Sequence, residues 1–135
     1  MNLIIGSHVS YKNSTQLLGS VKEALSYNAN TFMFYTGAPQ NTNRGVIEDS
    51  LTMEAYKLMK ENNIALEKVI VHAPYIVNLA NFNNFDFSVS FLINEVERCS
   101  TLGIKYLVLH PGSAVNCSRE EAINNISKGL NLILD

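Results

Sequence analysis

"EKVIVHAP" (67–74) and "KYLVLHPG" (105–112) decide the fold. Each is a short apolar run that ends on a histidine, with a proline one or two places later. Proline cannot donate to a strand ladder and restricts the residue before it, so each run reads as a strand that stops there. Between them, "DFSVSFLINEVERCSTLG" (86–103) sets Val89, Leu92, Ile93, Val96 and Cys99 on one helical side, with Gly103 as its stop. The unit is strand, helix, strand, which is the crossover of a parallel sheet.

The same rhythm extends in both directions. "NLIIGSH" (2–8) reads as a first strand. "STQLLGSVKEALSYN" (14–28) reads as a helix with Leu17, Leu18, Val21, Ala24 and Leu25 at helical spacing and Ser14 as N-cap. "NTFMFYT" (30–36) is a second strand that runs into the turn-rich "GAPQN". "SLTMEAYKLMKENN" (50–63) is a second helix, opened by Ser50, with Met53 where a capping box would place an acid. "NLANFNNFDF" (78–87) falls where a strand-to-helix loop belongs. "SREEAINNISKGLNLILD" (118–135) carries a full capping box, Ser118 with Glu121, and reads as a helix to the last residue.

The order is therefore β-α four times. Nearly continuous apolar strands are expected where helices cover one face of a parallel sheet and another layer covers the other. Four such units fit a small open sheet or half of a (β/α)8 barrel, which needs roughly 250 residues. The chain ends inside a helix with no closing strand. The reading favours the N-terminal half of a TIM barrel, with residues 1–135 as one truncated domain.

Apolar residues make up 47% of the chain and charged residues 16%, enough for a packed core and too little charge for a solvated tail. The formal charge of −2 argues against a broad basic face for nucleic acid, but leaves room for local phosphate contacts through metal ions and a few side chains. No run is long and apolar enough for a membrane span, the first residues lack the pattern of a secretory signal, and Cys99 and Cys117 fit neither a disulfide framework nor a ligand pair. A reduced, cytoplasmic setting is the expectation.

All three histidines, His8, His72 and His110, close strands and so fall on the face where parallel sheets bind ligands. A lone histidine there is more often a loop residue or a strand cap; three of three is harder to assign to chance. Neutral imidazole is a preferred ligand for zinc and similar ions. His72 and His110, one βα unit apart, can face a common centre if the strands form a ring. Pro74 and Pro111 fix the loop directions, although ordinary strand termination accounts for them equally. Gly112 permits close backbone approach to a ligand. A multi-metal hydrolytic site also needs carboxylates. The acids here lie mostly on helices, and Glu67 begins a strand at the end away from His72.

Four stretches, "IGSHVS" (5–10), "FYTGAPQNT" (34–42), "VHAPYIVNLAN" (71–81) and "LVLHPGS" (107–113), resemble in this order endonuclease IV. That family is the metal-dependent apurinic/apyrimidinic endonuclease of DNA base-excision repair, and the flavour is that of low-GC Gram-positive bacteria and mollicutes. The resemblance covers the whole chain and about the first half of the family's sequence. It implies a (β/α)8 barrel with three zinc ions at the C-terminal face of its strands. The implied reaction is hydrolysis of the phosphodiester 5′ to an abasic site in duplex DNA, leaving a 3′-hydroxyl, with removal of blocking groups from 3′ ends as well.

By motif, the resemblance makes His72 and His110 two zinc ligands and gives His8 a positioning role beside the metal centre. It makes Tyr75 and Ile76 the pair that wedges into the DNA stack, which is how proteins expose a flipped nucleotide. A loop aromatic capping the barrel mouth is the plainer account of Tyr75. Gln40 stands where some relatives carry an arginine, and Gln40 and Asn41 can hydrogen-bond to DNA. The family's later carboxylate and histidine motifs have no counterpart in the chain. No membrane or protein partner is implied. Two other readings stand beside this one: a metal-dependent sugar isomerase or epimerase on the same barrel, and a non-catalytic half-barrel that is inactive and prone to associate.

Overall fold

The computed structural model describes residues 3–135. Four strands, β1 (Gly6–His8), β2 (Thr31–Phe34), β3 (Ile70–His72) and β4 (Tyr106–Val108), alternate with four helices, α1 (Gln16–Ser26), α2 (Asp49–Glu61), α3 (Phe85–Thr101) and α4 (Arg119–Leu134). Every pairing is parallel and the lateral order is β1-β2-β3-β4. Each new strand is laid beside its predecessor on the same side. That is the winding of a barrel, whereas a doubly wound sheet reverses direction.

Strand alternation divides the side chains between two faces. Phe32, Phe34, Val69 and Val71 are buried against the helices. Leu17, Val21 and Ala24 of α1 join them, as do Ala55 and Met59 of α2. At roughly 1.5–3 kcal/mol for each large apolar side chain, this layer is what holds the helices to the sheet. A second cluster of Ala73, Val77, Leu79, Val89, Phe91 and Leu92 lies under the loop after β3 and meets Ile126, Leu130 and Ile133 of α4. The opposite face of the sheet departs from the expected second layer. Gly6 and His8 are exposed there, and Tyr106 and Val108 are 58% and 42% exposed.

The capping chemistry is partly as read. Ser118 Oγ accepts from the Glu121 backbone N–H while the Glu121 carboxylate accepts from Ser118 N–H, the reciprocal box that starts α4. Gly103 ends α3 with φ +69°, a conformation that suits glycine. Ser14 is not a cap: α1 starts after Thr15, which makes no side-chain capping bond. Nor does Ser50 open α2, which begins at Asp49 behind Glu48. Glu67 lies in a short 3-10 turn (Leu66–Lys68) before β3, not in the strand.

The buried side of α3 also departs from the stripe read in the sequence. Val89, Leu92 and Cys99 are buried, but Ile93 and Val96 are each 37% exposed. Ser88, Phe91, Glu95 and Arg98 are buried in their place. Burial pushes the Cys99 thiol up to about 12 from 9.0, with the Glu95 charge adding to the effect and Arg98 opposing it. Ionisation of Cys99 therefore favours the unfolded chain, and this contribution to stability is lost as pH rises above about 9. The two thiols are expected to differ in kind. At pH 8 a disulfide reagent such as DTNB should titrate the half-buried Cys117 promptly and Cys99 only on denaturation, at least about 100-fold more slowly. Equal native rates would show that α3 does not shield Cys99.

Candidate functional site

The histidines meet on the face of the sheet away from the helices, at the C-terminal ends of the strands. Pairing aligns His8 with Met33, Met33 with Ile70, and His72 with Val108. His8, Met33, Ile70 and Tyr106 thus share one level. His72 stands two residues above that level, and His110 two residues above Val108, on the same face by strand alternation. The result is a staircase of rings, the stagger expected when parallel strands tilt around an axis.

Tyr35 fills the step between the first two histidines. Its ring centroid lies 4.6 Å from His8 and 5.1 Å from His72, both edge-on. The His72 and His110 centroids are 5.0 Å apart, and those of His8 and His72 are 6.4 Å apart.

His72 is the buried member at 9% exposure, whereas His8 and His110 are exposed. Its Nδ1 lies 2.6 Å from the carbonyl oxygen of Ala73. A carbonyl only accepts, so Nδ1 carries a proton, and in the neutral ring the lone pair is on Nε2. His8 Nδ1 makes a longer contact of the same sense to Met33 O at 3.4 Å. Partial desolvation holds the His8 pKa below its usual value, a charge on His72 lowers it further, and Glu23 opposes both. Neutral rings with free lone pairs are the form in which imidazole binds a divalent cation. The adjacent rings of His72 and His110 are a partial donor set. Among the described residues no group of three or more His, Cys, Asp or Glu side chains is placed to hold a metal ion.

Asn78 joins the two histidine-bearing loops, and the sequence did not single it out. Its Oδ1 accepts from Ala80 N–H (3.0 Å) and Ser113 N–H (3.1 Å), and its Nδ2 donates to Ser113 O (3.0 Å). The loop after β4 can take this position only because residue 112 is glycine. Gly112 has φ +128°, and a Cβ there would lie 2.2 Å from Asn78 Oδ1. The cavity beside this clamp, about 400 Å³, is lined by Tyr75, Val77, Asn78, His110, Pro111, Gly112 and Ser113. Tyr75 is 58% exposed at its edge and Ile76 half-buried beside it.

The loop between β2 and α2 carries Gln40, exposed, and Asn41, half-buried, on the same end of the sheet. It sits on a buried polar network that pattern reading did not find. Arg44 Nε donates to Glu95 Oε1 at 2.6 Å, with the two side chains 5% and 0% exposed. Thr36 Oγ1 donates to Glu95 Oε2 (2.8 Å), and Arg98 donates through Nε to Thr36 Oγ1 (3.1 Å) and through Nη2 to Thr36 O (2.8 Å).

A family model described as a xylose isomerase-like TIM barrel matches residues 21–135. The chain belongs to that family. Within this TIM-barrel family its likeness is to the N-terminal half of proteins named probable endonuclease 4. It is 57% identical over 135 residues to the one from Acholeplasma laidlawii, covering 98% of this chain and 46% of that protein. It is 50% identical to the one from Bacillus subtilis, covering 98% of this chain and 45% of that protein. Among solved structures, endonuclease IV from Thermus thermophilus superposes with a TM-score of 0.75 at 25% identity, over 97% of this chain and 48% of that one. A D-tagatose 3-epimerase-like protein superposes at 0.63 with 18% identity, a likeness of fold alone. The chain thus spans about half the length of the curated relatives it matches.

Proposed function

We propose that these residues form the N-terminal part of a DNA-repair endonuclease that hydrolyses the phosphodiester 5′ to abasic sites in duplex DNA, leaving a 3′-hydroxyl. The observation that carries the reading is the adjacency of His72 and His110, rings 5.0 Å apart at the mouth of a TIM-barrel sheet, in a chain 57% identical to a probable endonuclease 4. In this reading the two imidazoles are ligands of zinc, and His8 and Tyr35 hold His72 in place. The chemistry a bound divalent cation supplies is polarisation of the phosphodiester and acidification of a water.

The chain's own residues would do the rest. The Ala73 carbonyl fixes the His72 tautomer, so that Nε2 faces the site. Asn78 keeps the His110 loop in register with the His72 loop. Tyr75 and Ile76 form the wedge that enters the base stack, and Gln40 and Asn41 hydrogen-bond to the strand opposite or beside it. Specificity follows from the low cost of extruding a nucleotide that has no base to unstack. Cytoplasmic action and repair of blocked 3′ ends belong to the same reading.

Two histidine donors do not complete a hydrolytic metal centre, so residues 1–135 alone are expected not to nick DNA. Within the full-length protein, the prediction is nicking of an abasic duplex that a strong chelator abolishes and that His110→Ala lowers on the order of 100-fold or more. Gel analysis of a labelled abasic oligonucleotide reads both. Nicking that continues unchanged after complete metal removal would overturn the assignment.

A further inference from the structure

We infer that Arg44, Glu95, Thr36 and Arg98 are positioning residues for the loop that carries Gln40 and Asn41, holding it in one conformation from beneath. This deepens the endonuclease reading and rests on it for the claim that the loop meets DNA.

The loop from Gly37 to Glu48 has no regular structure, so its backbone polar groups need partners from elsewhere. Arg44 supplies them from within. Its side chain folds back under its own loop, and Nη1 donates to the carbonyl oxygens of Ala38 (3.3 Å), Asn41 (3.3 Å) and Asn43 (2.8 Å). Three carbonyls that flank the exposed Gln40 thus converge on one guanidinium nitrogen. Gly37 lets this happen, since a Cβ there would lie 2.7 Å from that nitrogen. The guanidinium lies 4.9 Å from the centre of the Phe91 ring, and its Nη2 is buried with no hydrogen-bond partner among the described residues.

Glu95 anchors that guanidinium to α3, and Arg98, one turn along, ties the two ends of the loop together. Arg98 reaches Thr36 at the entry and, through Nη1, the Gly45 carbonyl at the exit (2.7 Å). The far end has a second hold on α1, where Gln16 donates to Val46 O (2.8 Å) and accepts from Glu48 N–H (2.9 Å). Two charges of one sign and one of the other, all buried, are a poor way to gain stability alone. They are a good way to fix a loop, because the planar fork of arginine satisfies several acceptors at set angles.

The decisive variant is Arg44→Lys. It keeps a cation opposite Glu95, so the buried charge is unchanged, but lysine cannot hold Glu95 and three carbonyls together. Glu95→Gln is the second variant, removing the charge at constant shape. Hydrogen exchange on the whole chain should show amides 38–46 exchanging at least about tenfold faster in Arg44→Lys, with β3 and the centre of α3 unchanged. Fluorescence anisotropy should then show a lower affinity of that variant for an abasic duplex, while zinc binding to the chain is unaltered.

Unchanged loop exchange in both variants overturns the inference. A loosened loop with unaltered DNA affinity also overturns it, because the brace would then serve no recognition. If the parent chain does not distinguish abasic from intact duplex, the endonuclease reading fails at this loop, and the exchange result still decides whether the brace exists.

Discussion

Glu95→Ala is expected to lower the unfolding free energy by about 3–5 kcal/mol, the cost of breaking a buried ion pair from one side. The Glu95 side chain is fully buried and is the only carboxylate bonded to Arg44 among the described residues. Its removal leaves Arg44 and Arg98 as uncompensated charges and leaves the Thr36 hydroxyl without its acceptor. The alanine also leaves a void where a fully buried side chain stood. The double variant Arg44→Met with Glu95→Leu removes one of the two stranded cations and should recover part of the loss, with the buried Arg98 still lacking its counter-charge. Urea denaturation of the parent, the single and the double variants makes the comparison. A loss below about 1 kcal/mol for Glu95→Ala would mean that the pair is solvated, as exposed salt bridges are.

Phe34→Ala should cost a similar amount, about 3–5 kcal/mol, by a different mechanism. Phe34 is fully buried, stacks on Tyr11 at 5.5 Å and lies 5.8 Å from Phe32. Its loss removes apolar contact and leaves a cavity between β2 and α1 that neighbouring side chains fill only in part. The effect reaches the site because Tyr35 is the next residue and points to the opposite face. With β2 loosened, Tyr35 loses its fixed approach to His8 and His72. Urea midpoints measure the stability, and imidazole proton shifts of His8 and His72 report the ring geometry. A destabilised variant whose histidine shifts are unmoved would show that the staircase does not depend on the β2 core.

Both effects expose a limit of periodic patterns. The strand that ends at His72 was legible because apolar runs, prolines and β-branched residues act locally. The stripe on α3 was misplaced because hydrophobicity alone ranks Ile93 and Val96 above Glu95 and Arg98. Burial reversed that order, since the two polar residues find partners in a loop more than fifty residues away. Ser14 and Ser50 failed as caps for a related reason: a capping residue is defined by where the helix begins. Tyr35 left a usable signal. Strand alternation in "NTFMFYT" puts it on the face opposite Phe34, away from the helices, although only strand pairing shows that it stands between two histidines.

What the amino-acid order determined by itself is the βα rhythm, the parallel crossovers, and the placing of all three histidines at the same end of their strands. Each follows from backbone preferences and residue spacing within a single unit. The tertiary structure alone decided the lateral order of the strands, the stagger that brings His72 beside His110, the Asn78 clamp and the buried Arg44–Glu95 brace. Those features depend on side chains brought together across whole βα units. Their energies come from desolvation and packing, which exist only once the neighbouring elements are in place.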